Sequence, residues 1–423
     1  MGAQKTAFDQ LVSEFNETVG MERGIYVEAA SQGGVSQLIE NIIAASERKV
    51  GAQPIPNIFA AYADTAHQVD QLGPLADLDP YFTQKELDTY MPAYIEEGRL
   101  DGVSLKILPT AKSTEILMIN SVDWQKFAQA AGASLDSLST IEELVQTAGE
   151  YYDWTDGLTP NIAGDGRAFF GRDAMANYLI IGSRQLGAEI FSVEDGLCTF
   201  QTDPAVLRKL WDCYYVPYIN GYFSAYGRFR SDDAKIGEII ALVGSSSSAV
   251  YFPDEVTVND TASYPIEAIV LPAPCFAGGK HVAVQQGAGM SVTRSTPQEE
   301  YASLVFLKWF TEPERNIRFC AASGYLPVMN KACDVQTFEA GLDGLETPLP
   351  SKVKKSLMVA LETVNSHELY TNQAFKGGTG ARNIQEYSLS GHASKDLAAI
   401  EKLTASGVPR EEAVARFNTD ENF

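Results

Sequence analysis

A chain of 423 residues, 45% apolar and 21% charged, exceeds the roughly 250–300 residues at which a single hydrophobic core stops growing, so two lobes are expected. Its formal charge of −23, with no run of Lys and Arg, repels phosphate backbones and excludes nucleic acid as a partner. The longest apolar runs, such as residues 239–243, fall far short of the ~20 residues that cross a bilayer.

Along the chain, Phe8, Leu11, Val12 and Phe15 stand at i, i+3, i+4 and i+7 and predict a helix at the outset. Residues 25–29 predict a short strand, Ser31-Gln32-Gly33-Gly34 a turn, and Leu38, Ile39, Ile42 and Ile43 a second helix. Residues 56–60 predict the next strand. This alternation predicts parallel-rich sheets with crossover helices, an α/β fold. Further strands are expected at 105–108, 115–119, 238–243, 266–271 and 290–293, with a mostly helical region after Val328. Thr83 with Glu86, Thr140 with Glu143 and Thr296 with Glu299 read as capping boxes, and Pro297 takes the favoured first helical position.

The N-terminus has no charged segment leading into an apolar one, so no export signal is visible; Met1-Gly2 with Thr6 formally fits a myristoylation pattern. Five scattered cysteines, Cys198, Cys213, Cys275, Cys320 and Cys333, read as free thiols or as one short-loop disulfide between Cys320 and Cys333.

Catalytic signatures are missing: no GxSxG, HExxH, Walker loop or GxGxxG after a strand. His67, His281, His367 and His392 pair with nothing at ligand spacing, so no metal and no cofactor is expected. The Asp- and Gly-rich stretch 153–173 lacks the register of a calcium loop and reads as a polar loop. Lys112-Ser113-Thr114, Gly244-Ser245-Ser246-Ser247-Ser248 and Gln286-Gly287-Ala288-Gly289 lie at strand ends, where hydroxyls and amides can grip a polar ligand. Tyr62, Trp124, Trp154, Phe169, Phe170, Tyr251, Tyr325 and Tyr387 offer stacking faces.

With Phe306-Leu307-Lys308-Trp309-Phe310-Thr311-Glu312-Pro313-Glu314 followed by Ser323-Gly324-Tyr325-Leu326-Pro327-Val328, the chain resembles the family 1 extracellular solute-binding proteins of ABC importers. Asp101-Gly102-Val103, Leu108-Pro109 and residues 113–120 resemble that family's passage into its second lobe; residues 270–274 and 287–289 resemble its return. The resemblance implies a two-lobed periplasmic-binding-protein-like fold of type II with a hinge, lobe I from 1–117 plus 267–320 and lobe II from 118–266 plus 321–423. Family members open with a signal peptide and a first strand, and this chain opens on the helix that follows them. An acylated cysteine, in a lipoprotein, would precede the given start.

The nearest branch is that of glycerol-3-phosphate and glycerophosphodiester receptors. It implies hydroxyl contacts at Ser113 and Ser246, a backbone contact at Gly287, a hinge aromatic at Tyr325 and a phosphate-pairing Arg382. Where that branch has a tyrosine and a glutamate, this chain has Gly33-Gly34 and Tyr62 with Asp64. The expected ligand-binding set is Tyr62, Asp64, Ser113, Thr114, Phe170, Ser246, Gly287, Tyr325 and Arg382. The implied function is extracytoplasmic capture of a sugar, oligosaccharide or glycerol-phosphate-type compound by a monomer that delivers it to ABC permease subunits. The alternative is a carbohydrate-active enzyme with a pair of cleft carboxylates.

Overall fold

The structure, a computed structural model, describes residues 3–423 except 74, 101, 163 and 195. Met1 and Gly2 of the myristoylation pattern and Asp101 of the Asp-Gly-Val stretch lie outside the described residues.

The opening helix, Ala3–Phe15, forms as its apolar spacing predicts. Its stripe packs into an aromatic cluster, with Phe8 against Phe310 at 5.5 Å and Phe15 against Trp309 at 5.3 Å. Residues 25–29 are extended and pair with no strand. The Asn16 side chain takes the place of a neighbouring strand: its Nδ2 donates to the Val27 carbonyl at 2.8 Å, and its Oδ1 accepts from the Val27 N–H at 2.8 Å. Backbone groups need partners of some kind, and one amide supplies both.

The named strands are β1 (Ile58–Ala61), β2 (Glu115–Asn120), β3 (Phe170–Arg172), β4 (Phe191–Glu194), β5 (Leu197–Phe200), β6 (Ala241–Ser245), β7 (Glu255–Asn259), β8 (Ala262–Pro265), β9 (Ala268–Pro272), β10 (Val282–Val284), β11 (Gly289–Val292) and β12 (Glu368–Tyr370). The main sheet has the order β3-β6-β2-β9. It is mixed rather than parallel: β3 and β6 run parallel, whereas β2 runs antiparallel to both β6 and β9. The expectation of parallel-rich sheets assumed a crossover helix before every strand. The helix Pro92–Gly98 does not lead directly into β2; the chain reaches it along residues 105–114, which make only isolated bridges, such as Leu108 with Met290. An antiparallel neighbour needs no crossover. Beside this sheet stand an antiparallel pair β1–β11, a parallel pair β10–β12 and the hairpins β4–β5 and β7–β8.

Every residue of β2 is buried, which explains its unbroken apolar run. Leu117 and Ile119 enter one core with Phe127, Phe169 and Tyr215; Ile116 and Met118 enter another with Phe252, Phe338 and Leu357. A third core holds Leu11, Phe15, Tyr94, Phe306 and Phe310. β2 and β9 pair in one sheet; of the expected lobe boundaries, 117/118 falls within β2 and 266/267 just before β9.

Capping is as expected at Thr83 and Thr296, where both halves of the box form. At Thr140 only one half forms: its hydroxyl accepts from the Glu143 N–H, while the Glu143 carboxylate bonds that same hydroxyl instead of the backbone. All five cysteines are free.

Three distant stretches of chain meet at Lys112-Ser113. Ser113 exchanges both backbone hydrogen bonds with Gln286, each 3.0 Å, and Lys112 pairs with Leu326 on the other side. The Lys112 side chain is 2% exposed. Its Nζ meets Glu97 Oε2 at 2.6 Å and the Gly287 carbonyl at 2.9 Å. Removing one partner of such a buried pair strands the other charge. Lys112→Met should therefore cost about 3–5 kcal/mol in urea titrations with an unchanged slope, and adding Glu97→Gln should recover part of it. A loss below ~1 kcal/mol, the worth of an exposed pair, would show that water screens this ion pair.

Candidate functional site

Tyr62, Asp64, Ser113, Gly287, Tyr325 and Arg382 line one cavity of about 380 Å³. Three other expected residues do not. Phe170 is 4% exposed and packs on Phe223 at 4.9 Å inside the core. Thr114 is buried behind the wall, beside Glu115 and Arg172. Ser246 is fully buried and donates its backbone N–H to the Thr114 carbonyl at 2.8 Å. Its neighbours in the same hydroxyl cluster line the cavity instead. β6 ends at Ser245 and turns into a short helix over Ser246–Tyr251, so Ser245 and Ser247 face the cavity.

Each element has a local reason to present its side chain here. Gly324 ends the helix Pro313–Ser323 with φ 75°, and a Cβ there would lie 3.0 Å from the Ser247 Cα. A left-handed turn pressed against backbone demands glycine, and it delivers Tyr325 to the cavity. Tyr62 caps the helix Ala63–Asp70 and Asp64 stands in its first turn. Arg382 lies near the start of the long helix Gly378–Ala405.

Arg382 is held from behind. Its Nη2 donates to Asn177 Oδ1, Asn177 Nδ2 donates to Glu115 Oε1 at 2.8 Å, and Glu115 Oε2 pairs with Arg172 at 2.8 Å. Asn177 is 1% exposed, so this chain of bonds is shielded and fixes the guanidinium. Sequence reasoning missed Asn177; a lone amide within the apolar stretch 175–181 was its available signal. Thr371, Asn372, Gln285 and Asn383 also line the cavity, and nothing in their local sequence marks them.

The Asp64 carboxylate rests against the first residue of the long helix: a Cβ at Gly378 would lie 2.4 Å from Asp64 Oδ1. A side chain at this position would push the carboxylate aside, and the helix N-terminus favours a negative charge. Burial nevertheless dominates and raises the Asp64 pKa, against the lowering pull of Arg382, the Phe375 backbone and His67. Desolvation by the cavity wall, with Tyr325 and Glu97 nearby, pushes the Tyr62 phenol up to about 12, although 41% of the residue stays open. Burial also raises Tyr325, opposed by a hydrogen bond with Ser247. Both phenols keep their protons at neutral pH and can donate. Asp64 Oδ1 and Gln286 Oε1 are buried acceptors without protein partners. Donors and acceptors thus line one ligand-sized, largely uncharged space.

The fold and this cavity define a two-lobed α/β protein built to enclose a small polar solute. The chain belongs to the bacterial extracellular solute-binding protein family, which it matches over residues 10–342. Comparison of the sequence with curated proteins gives no match. Among solved structures it is similar to the cyclic alpha-maltosyl-1,6-maltose binding protein from Arthrobacter globiformis, with TM-score 0.68, 17% identity and coverage of 98% of this chain and 94% of that one. It is also similar to UgpB from Mycobacterium tuberculosis in complex with glycerophosphocholine, with TM-score 0.67, 16% identity and coverage of 97% and 92%. A third is the galacto-N-biose-/lacto-N-biose I-binding protein of the ABC transporter from Bifidobacterium longum, with TM-score 0.66, 13% identity and coverage of 95% and 94%.

Asp64 gives this site a pH signature. The folded chain holds this proton more tightly than the unfolded chain does, so its contribution is most favourable below the unfolded pKa and falls as pH rises through the folded one. Asp64→Asn should raise the thermal midpoint near neutral pH, and the gap should close in acid, where wild-type Asp64 is also neutral. Melting curves across that range check it; a gap independent of pH would show that the carboxylate is not held at a penalty.

Proposed function

We propose that this chain is a solute receptor that captures a neutral carbohydrate in the cavity between its halves and presents it, outside the cytoplasmic membrane, to ABC permease subunits. One observation carries the choice of ligand. The only cation expected to grip an anion, Arg382, has its charge offset by Asp64 in the same cavity, and the rest of the lining is dominated by hydroxyls, amides and two tyrosines. Such walls match sugar hydroxyls by hydrogen bonds and sugar faces by stacking. The halves meet along Lys112-Ser113, Gln286 and Leu326, and closure about that line is the proposed response to ligand.

Binding without turnover follows from the carboxylates. Glu97 Oε2 is occupied by Lys112 at 2.6 Å and also accepts from Gln285. A glycosidase needs a second carboxyl group free to trade a proton or attack, and Glu97 is not free.

A glycerophosphodiester is the second reading, favoured by Arg382 alone. Thermal shift against a panel of oligosaccharides and phosphodiesters comes first, since a ligand at 100 times its Kd adds about 2.7 kcal/mol. For the sugar that binds, Tyr325→Ala and Tyr62→Ala should each weaken affinity at least about tenfold, ~1.4 kcal/mol, and Arg382→Ala should weaken it less. A phosphate ester that binds the wild type and is lost in Arg382→Ala would replace the sugar reading; release of hydrolysed product would overturn binding without turnover.

A further inference from the structure

Away from the cavity, Cys275, His281 and His367 come together, with their ligand atoms all within 4.8 Å of one another. None is close to another at a recognised spacing in sequence; strand register makes the cluster. β10 and β12 pair parallel with Val282 opposite Glu368, so the residues just before them, His281 and His367, are neighbours. The Glu368 N–H donates to the His281 carbonyl at 2.9 Å and extends the pairing to that point. Their rings lie 5.4 Å apart, nearly perpendicular. Cys275 follows β9 and is held by its own backbone, whose carbonyl accepts from the Ile141 N–H at 2.9 Å.

A second observation concerns His367. Its Nδ1 lies 3.2 Å from the Thr363 carbonyl. The Ser366 hydroxyl lies 3.0 Å from the same nitrogen; with Nδ1 protonated toward the carbonyl, Nε2 carries the lone pair a metal would take. Metal-binding histidines are commonly oriented in this way, the other ring nitrogen donating to a backbone carbonyl. The adjacent carboxylate, Glu368, is engaged by Arg184 at 3.0 Å.

We propose that Cys275, His281 and His367 form a binding site for a borderline-soft divalent cation of the zinc class, with a fourth position open to water. One thiolate and two imidazoles suit zinc and disfavour magnesium or calcium, which take oxygen. Binding releases the Cys275 proton to solvent as the sulfur–metal bond forms. The ion links three segments far apart in sequence: the end of β9 and the starts of β10 and β12.

The test uses the full chain, stripped with a chelator. Zinc titrated calorimetrically should bind at one equivalent, and cobalt should give a thiolate-to-metal charge-transfer band with tetrahedral visible bands. Cys275→Ser and His281→Ala should each lower zinc affinity at least about tenfold. Zinc should also slow alkylation of Cys275, read by peptide mapping against the other thiols. His281 is exposed, so its variant tests ligation without disturbing the core, and the cobalt spectrum needs no variant. Cobalt bound without a thiolate band, affinity unchanged in both variants, or no zinc bound by the wild type would each overturn the proposal.

Discussion

The structure depends on one junction, where Lys112-Ser113 is hydrogen-bonded to Gln286 on one side and to Leu326 on the other. Three passages of the chain are fixed in register at this point, and the cavity is built from what lies beside them. Ser113 and Gln286 are the paired residues themselves, Gly287 follows Gln286, and Tyr325 precedes Leu326. A buried ammonium makes the junction possible: Lys112 Nζ reaches both Glu97 and the Gly287 carbonyl. An unpaired charge at 2% exposure would be costly, and Glu97 supplies the partner. The same ion pair thus ties the crossing to the wall of the cavity.

A second polar chain fixes the opposite wall. Arg172, Glu115, Asn177 and Arg382 are linked head to tail from the main sheet to the long helix, and Asp64 reaches that helix from the other side through Gly378. The chain carries a formal charge of −23, yet within the cavity Arg382 stands against Asp64, while Glu97 is paired with Lys112. The surface charge governs solubility and repulsion of polyanions; the local balance governs what the cavity can hold. The two need not agree, and here they do not.

Legibility in the sequence followed the range of the interaction. Helical periodicity, the caps at Thr83 and Thr296 and the apolar run of β2 are local, and each formed where the pattern put it. Residues 25–29 have the composition of a strand but pair with no strand, a tertiary fact that no window of sequence contains. The cavity residues read from the Gly-Tyr-Leu-Pro stretch and the polar clusters came together because those clusters sit at strand ends. Ser246 turns away from the cavity because the exit of β6 into a short helix rotates successive side chains. Phe170 was expected to offer a stacking face, and it packs on Phe223 inside the core. Asn177, Thr371 and Asn372 were invisible because each acts singly, from a separate element.

The pair β10–β12 joins these features physically. Both strands run in the same direction, with His281 and His367 just before their starts; Val284 and Gln285 at the end of the first, and Thr371 and Asn372 just past the second, line the cavity. Three paired residues at ~3.3 Å each span roughly 10 Å, so the two ends are close enough to share one rigid unit. A solute that draws on Gln285 and Thr371 and a cation held by the two histidines therefore act on opposite ends of the same pairing. Any shift in that pairing caused by one is felt by the other to the same extent, because coupling between two binding sites is reciprocal. The short strand pair, unremarkable in sequence, would carry both the proposed cation and the proposed solute at its two ends.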